Sequence, residues 1–160
     1  MNAKKMANYT NNAKAQELWK TLYLCAKESK TRRFHALYDK IYRPDILWEA
    51  WQRVKRNKGS AGVDKQSLED IQAYGEGKFL NELYVELRRN QYHPQPVLRT
   101  FIPKDDGKKR PLGIPTIKDR VAQMATKLVI EPIFEADFKD GRFVWFSSQK
   151  KCPSSNSEDT

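Results

Sequence analysis

The sequence predicts an α+β fold, mostly helical with one small antiparallel β-hairpin. Three observations carry that reading. Apolar residues recur at helical spacing over much of the chain, and the period falls to two over one proline-flanked stretch. An Asp-Asp-Gly turn signal sits inside that stretch.

The elements follow in order. Met1 to Asn12 is polar and reads as a frayed end. From Ala13 the pattern is helical: Leu18, Leu22 and Cys25 recur on one face, widened by Trp19 and Ala26. A charged break, Lys27 to Arg33, precedes a second amphipathic stripe of Phe34, Leu37, Tyr38, Ile41 and Tyr42. Pro44 and Asp45 open a third helix, with Asp45 as its cap and Ile46, Leu47, Ala50, Trp51 and Val54 as its inner face. Lys55, Arg56 and Lys58 meet the negative end of that helix, and Gly59 is expected to stop it. A loop with two glycines runs from Gly59 to Asp64. A fourth helix is expected from about Gly77 to Asn90, burying Phe79, Leu80, Leu83, Tyr84 and Leu87. Val97 to Ile102 and Arg110 to Ile114 form the hairpin around Asp105, Asp106 and Gly107. Thr116 caps a last helix, Ile117 to Phe134. From Gly141 an apolar burst, Phe143 to Phe146, gives way to a serine-rich end that reads as disordered.

Composition narrows the function. The chain has 160 residues, with 30 Lys+Arg against 20 Asp+Glu and a net charge of +10. Its isoelectric point is near 9.6 and its mean hydropathy is −0.83. No apolar run reaches the roughly 18 residues of a membrane span. Two cysteines, Cys25 and Cys152, exclude a disulfide scaffold. Met1 to Lys30 lacks the apolar core of a signal peptide, so the expected address is cytoplasmic. The positive balance favours a polyanion, RNA or DNA, over a membrane surface.

Candidate catalytic groups are sparse. His35 and His93 stand alone, and Cys152 has no nearby cysteine partner. Asp137 and Asp140 follow a helix end without a strand between them, so no metal site and no catalytic residue is assigned. The basic residues are more informative. Lys104, Lys108, Lys109 and Arg110 flank one turn, where cations on two strands can converge on a phosphate. A solvated hairpin tip that protects a sheet edge fits the same residues equally well. Trp48, Trp51, Tyr84 and Tyr92 interleave with cations; helix packing accounts for most of them, and nothing in the sequence marks which ring would stack on a base.

From Tyr38 to Phe138 the chain resembles the N-terminal part of group II intron reverse transcriptases, or maturases. The resemblance lies in Asn57-Lys58-Gly59-Ser60-Ala61-Gly62-Val63-Asp64, Tyr92-His93-Pro94-Gln95-Pro96-Val97 and Ile102-Pro103-Lys104. It continues through Lys109-Arg110-Pro111-Leu112-Gly113-Ile114-Pro115-Thr116, Lys118-Asp119-Arg120-Val121-Ala122-Gln123 and Glu131-Pro132-Ile133-Phe134-Glu135. It implies the fingers part of a right-hand polymerase fold. Residues 1–37 are then a polar extension with a helix, 38–140 the N-terminal extension and fingers, and 141–160 a tail. It further implies that Lys104 and Arg110 contact the triphosphate of an incoming nucleotide. Lys58, Lys108, Lys109 and Arg120 would face RNA.

The family's polymerisation uses Mg2+ held by palm aspartates, which the resembling stretch does not include, so no cofactor and no activity are expected of these residues alone. Expected partners are intron or template RNA, a DNA primer, and a second copy through helix faces meant for a palm. No membrane is expected. The tail departs from the family after Phe143. Shifted by one nucleotide, its codons permit Phe-Gly-Phe-Arg-Pro, where the family carries Tyr-Gly-Phe-Arg-Pro; the alternative is coincidence at permissive codons. On the frameshift reading the chain is a truncated enzyme, and the shifted frame downstream is expected to encode Tyr-Ala-Asp-Asp. Two other readings stay open: a stand-alone RNA-binding module that regulates an intron or a full-length copy, and a helical DNA-binding protein using Trp48 to Lys58.

Overall fold

The structure is a computed structural model that describes residues 3–29, 31–103 and 108–137, with side chains from residue 13 onward. The tail readings and those on Lys104, Asp105, Asp106, Gly107 and Asp140 lie outside the described residues. The observed order is six helices and one hairpin: α1 (Ala3–Glu28), α2 (Tyr38–Ile41), α3 (Pro44–Arg56), α4 (Leu68–Tyr74), α5 (Glu76–Arg88), β1 (Leu98–Pro103), β2 (Lys109–Ile114) and α6 (Ile117–Asp137). The α+β expectation holds: helices dominate, and the described sheet is one antiparallel pair.

The core forms where the amphipathic faces of α1, α3, α5 and α6 meet. Trp51, Leu47 and Ala50 of α3 lie against Val121, Ala125 and Val129 of α6, all fully buried or nearly so. Leu83 and Phe79 extend this core from α5, and the Phe79 ring lies 5.7 Å from that of Trp51. Burying such side chains contributes about 1.5–3 kcal/mol each. Among the described residues, no helix is long and apolar enough to cross a membrane.

Several boundaries differ from expectation, each for a local reason. Helix α1 starts at Ala3, because alanine, lysine and methionine favour helix without an apolar stripe to reveal it. Cys25 is half-buried on α1 and not a core residue. Only Tyr38–Ile41 of the second stripe is helical, although Phe34, Leu37 and Tyr42 still pack on the core. Asp45 does not cap α3. Pro44 occupies its first turn, and Arg43 grips the Asp45 carboxylate at 3.0 and 2.8 Å.

Helix α4 lies between Asp64 and Gly77, where the sequence pattern assigns no element. Ser67 accepts the Asp70 amide while Asp70 accepts the Ser67 amide, a reciprocal cap that starts a seven-residue helix. Those Ser67 hydrogen bonds hold the Asp70 carboxyl below its ordinary value of 3.8. The sign follows: a depressed carboxyl stabilises the cap above that value, and the contribution fades as pH falls through the folded-state value. Acid titration of amide exchange in α4 is expected to show loss of protection at low pH. Ser67→Ala is expected to remove that dependence, and an unchanged acid profile in the variant would contradict this.

Candidate nucleic-acid interface

The hairpin stands away from the helical body. Nearly every residue of β1 and β2 is exposed, including Phe101 at 58% and Leu112 at 43%. Leu98 pairs with Ile114, Arg99 with Gly113, Thr100 with Leu112, Phe101 with Pro111, Ile102 with Arg110 and Pro103 with Lys109. This register corrects one expectation. The residue directly across from Arg110 is the apolar Ile102, not a lysine. Paired residues share a face, and faces alternate along a strand. Arg99 and Lys109 therefore share one face with Phe101, and Arg110 lies on the other. Both faces carry cations and exposed apolar surface.

Behind the hairpin, the first turn of α6 ties three segments together. Lys118 Nζ donates to Glu86 of α5 at 2.6 Å. The Asp119 carboxylate is 3% exposed and accepts from the Tyr92 hydroxyl, from the Gln95 amide at 3.3 Å and from the Thr116 hydroxyl at 2.7 Å. Thr116 in turn accepts the Asp119 amide, so it caps α6 as expected. Burial and the bond to Asp119 push the Tyr92 hydroxyl far above its ordinary value, so it remains a donor. Arg120 donates through Nε to the Pro115 carbonyl at 3.1 Å and through Nη2 to the Ser60 carbonyl.

Ser60 belongs to the glycine loop, and the clasp explains both glycines. A Cβ on Gly59 would collide with the Arg120 guanidinium. A Cβ on Gly62 would lie 2.7 and 2.8 Å from main-chain atoms of Thr116. Gly59 is not the residue that ends α3. Asn57 is the C-cap, and Lys58 itself takes the left-handed turn with φ of 44°. Lys65, on the far side of the loop, does the same at 57°. Lysine bears a steric cost in that region that glycine would not.

The predicted residues thus separate. Lys58, Lys108, Lys109 and Arg110 are all exposed, and the first three of these flank or lie in the two loops nearest the hairpin and the α3 end. Arg120 is half-buried, with two of its guanidinium nitrogens on main-chain carbonyls, so its place in the structure is that of a clasp. Asp119 and Tyr92 carry more of the architecture than the sequence reading gave them. Among the described residues no group of three or more His, Cys, Asp and Glu is placed to hold a metal ion. His35 and His93 are exposed. A cavity of about 450 Å³ beside α4 is lined by Asp64, Asp70 and Glu82 with Lys118. Three carboxylates against one lysine make it a poor place for a phosphate.

No protein-family model matches the chain. Comparison with known proteins finds relatives encoded within introns. Over 129 residues the chain is 36% identical to the group II intron-encoded protein LtrA of Lactococcus lactis subsp. cremoris, covering 79% of this chain and 21% of LtrA. Over 95 residues it is 29% identical to the putative COX1/OXI3 intron 2 protein of Saccharomyces cerevisiae, covering 58% of this chain and 11% of that one. The chain is related, over about four fifths of its length, to the group II intron-encoded proteins, and it spans about a fifth of LtrA. Protein YkfC of Escherichia coli strain K12 is a further relative, 36% identical over 127 residues, covering 76% of this chain and 32% of YkfC.

Proposed function

We propose that these residues form an RNA-binding fingers segment of a group II intron reverse transcriptase, acting by binding and not by phosphoryl transfer. The observation that carries the reading is the projecting hairpin. Its two exposed faces hold Arg99, Lys109 and Arg110 on a chain with a net charge of +10. The relationship to group II intron-encoded proteins supports RNA as the polyanion. In this reading Lys104 and Arg110 meet phosphates of a nucleotide, while Lys58, Lys108 and Lys109 meet the RNA backbone. Arginine offers a two-pronged fit to phosphate, and lysine a point charge. The partner is intron or template RNA, with a DNA primer alongside it, and Mg2+ belongs with carboxylates outside this segment.

Salt titration of binding is the test. Labelled intron RNA is expected to bind with a slope in log affinity against log salt set by the phosphates neutralised. Lys109→Ala/Arg110→Ala is expected to weaken binding about tenfold and to lower that slope by roughly one to two, with the melting temperature unchanged. Binding that is indifferent to both substitutions would reject the hairpin as the interface. Preference for intron over scrambled RNA would separate recognition from plain charge attraction.

A further inference from the structure

The described tryptophans differ in their surroundings. Trp48, Tyr84 and Tyr92 pack against the core and Trp51 lies inside it. Trp19 does neither. It stacks face to face on Tyr23 one helical turn away, with centroids 5.3 Å apart and planes 8° from parallel. A large ring held off the core normally covers something, and here it borders a cleft. The cleft lies between α1, α3 and α6 and has a volume of about 410 Å³, within the range of small-ligand sites. Ala15, Ile46 and Leu128 supply its apolar part, and Lys20, Arg53 and Arg56 outnumber the one carboxylate, Glu49, on its polar part. Arg53 is committed to Glu49 at 2.9 Å. Among the described residues Lys20 and Arg56 make no ion pair.

We propose that this cleft takes one unpaired nucleotide of single-stranded RNA. The base lies against Trp19, and the adjoining phosphates meet Lys20 and Arg56. The inference rests on the RNA-binding reading above and adds a second contact on the side of the molecule formed by α1 and α3. A ring pre-stacked on a neighbour gives a stiff platform, and every base has a flat face to offer it, so recognition is of an unpaired base and not of a sequence. An acidic peptide would satisfy the cations but leave the ring unused.

The experiment compares a labelled uridine oligomer of about ten nucleotides with an abasic ribose-phosphate oligomer of the same length. The full chain is expected to bind the base-bearing oligomer more tightly. Trp19→Ala is expected to weaken that binding roughly tenfold and to erase the difference between the two oligomers, leaving the salt slope unchanged. Trp19→Phe is expected to restore much of the preference. Lys20→Ala/Arg56→Ala is expected to weaken both oligomers alike and to lower the salt slope. Trp19 is half-buried outside the core cluster, so circular dichroism is expected to match the parent and the melting temperature of these variants to fall by no more than a few degrees. Equal binding of the uridine oligomer by parent and Trp19→Ala overturns the cleft assignment. If Lys109→Ala/Arg110→Ala still weakens binding in that case, the hairpin reading stands and only the cleft falls. Absence of RNA binding by the parent overturns both.

Discussion

Asp119→Ala is expected to destabilise the fold by about 3–5 kcal/mol, because it strands three donors at once. The Tyr92 hydroxyl, the Gln95 amide and the Thr116 hydroxyl all end on this carboxylate, which is 3% exposed. Each unsatisfied donor costs about 1–3 kcal/mol where burial is complete, as at Thr116, and the half-buried Tyr92 and exposed Gln95 recover part of that from water. On a domain whose total stability is of order 5–15 kcal/mol the loss is large, with a fall in melting temperature of more than about 10 °C. Asp119→Asn keeps the shape but turns one acceptor into a donor, so an intermediate loss is expected. Tyr92→Phe removes one donor and leaves the other two satisfied, so the smallest loss, about 1 kcal/mol, is expected. Urea unfolding of the three variants checks the order. A loss under about 1 kcal/mol for Asp119→Ala would show that the carboxylate is replaceable by water and is not the tie described here.

Gly62→Val is expected to free the glycine loop from the start of α6. The added atoms would meet Thr116 Cα at 2.7 Å, Thr116 N at 2.8 Å and Pro115 C at 3.0 Å, all main chain and all adjacent to a capped helix end. None of these atoms can rotate away, so the loop must move, at a cost of about 1–3 kcal/mol or more. The comparison variant is Gly59→Ala. Its Cβ meets only the end of the Arg120 side chain, which can swing aside once the Ser60 bond is broken. A smaller loss, near that of one hydrogen bond at about 1 kcal/mol, is expected. Hydrogen exchange across residues 57–67 separates the cases: wide deprotection in Gly62→Val, and change confined to the Ser60 neighbourhood in Gly59→Ala. Equal effects would mean that the loop is held by its own turns and not by α6.

Much of the fold was legible because its elements advertise themselves by period. The α3 stripe of Ile46, Leu47, Ala50, Trp51 and Val54 is buried as read, and so is the α5 stripe of Phe79, Leu80, Leu83 and Leu87, while Tyr84 is half-buried at its edge. The switch to a period of two, framed by Pro94, Pro96 and Pro103, marks β1 within a residue. Misses occurred where the signal was chemical and short. Helix α4 has seven residues and two buried positions, too few for a stripe, and its one clue was the Ser67 to Asp70 spacing. Gly59 was read as a helix stop because glycine is the common left-handed residue there. The chain instead places Lys58 in that conformation and keeps Gly59 for the close approach of Arg120. Lys118, Asp119 and Arg120 belonged to a family-like string, but a string of three charges does not say where each points. That depended on the fold placing α5, the Tyr92–Gln95 segment and the glycine loop around one helical turn. Trp19 widens the stripe of Leu18, Leu22 and Cys25 at helical spacing, as Ala26 does. Three-dimensional packing, not spacing, decides which flank of a stripe is left uncovered.

The three grips at the head of α6 have an unequal tolerance for error. A point change there breaks one side chain's ties and leaves those of the other two. Inserting a single residue after Ile117 would instead turn all three side chains by about 100° around the helix axis together. Lys118, Asp119 and Arg120 would then face away from Glu86, Tyr92 and Ser60 in one stroke. Lys118 and Arg120 tolerate replacement better than Asp119, but no substitution at this turn equals the loss of its spacing.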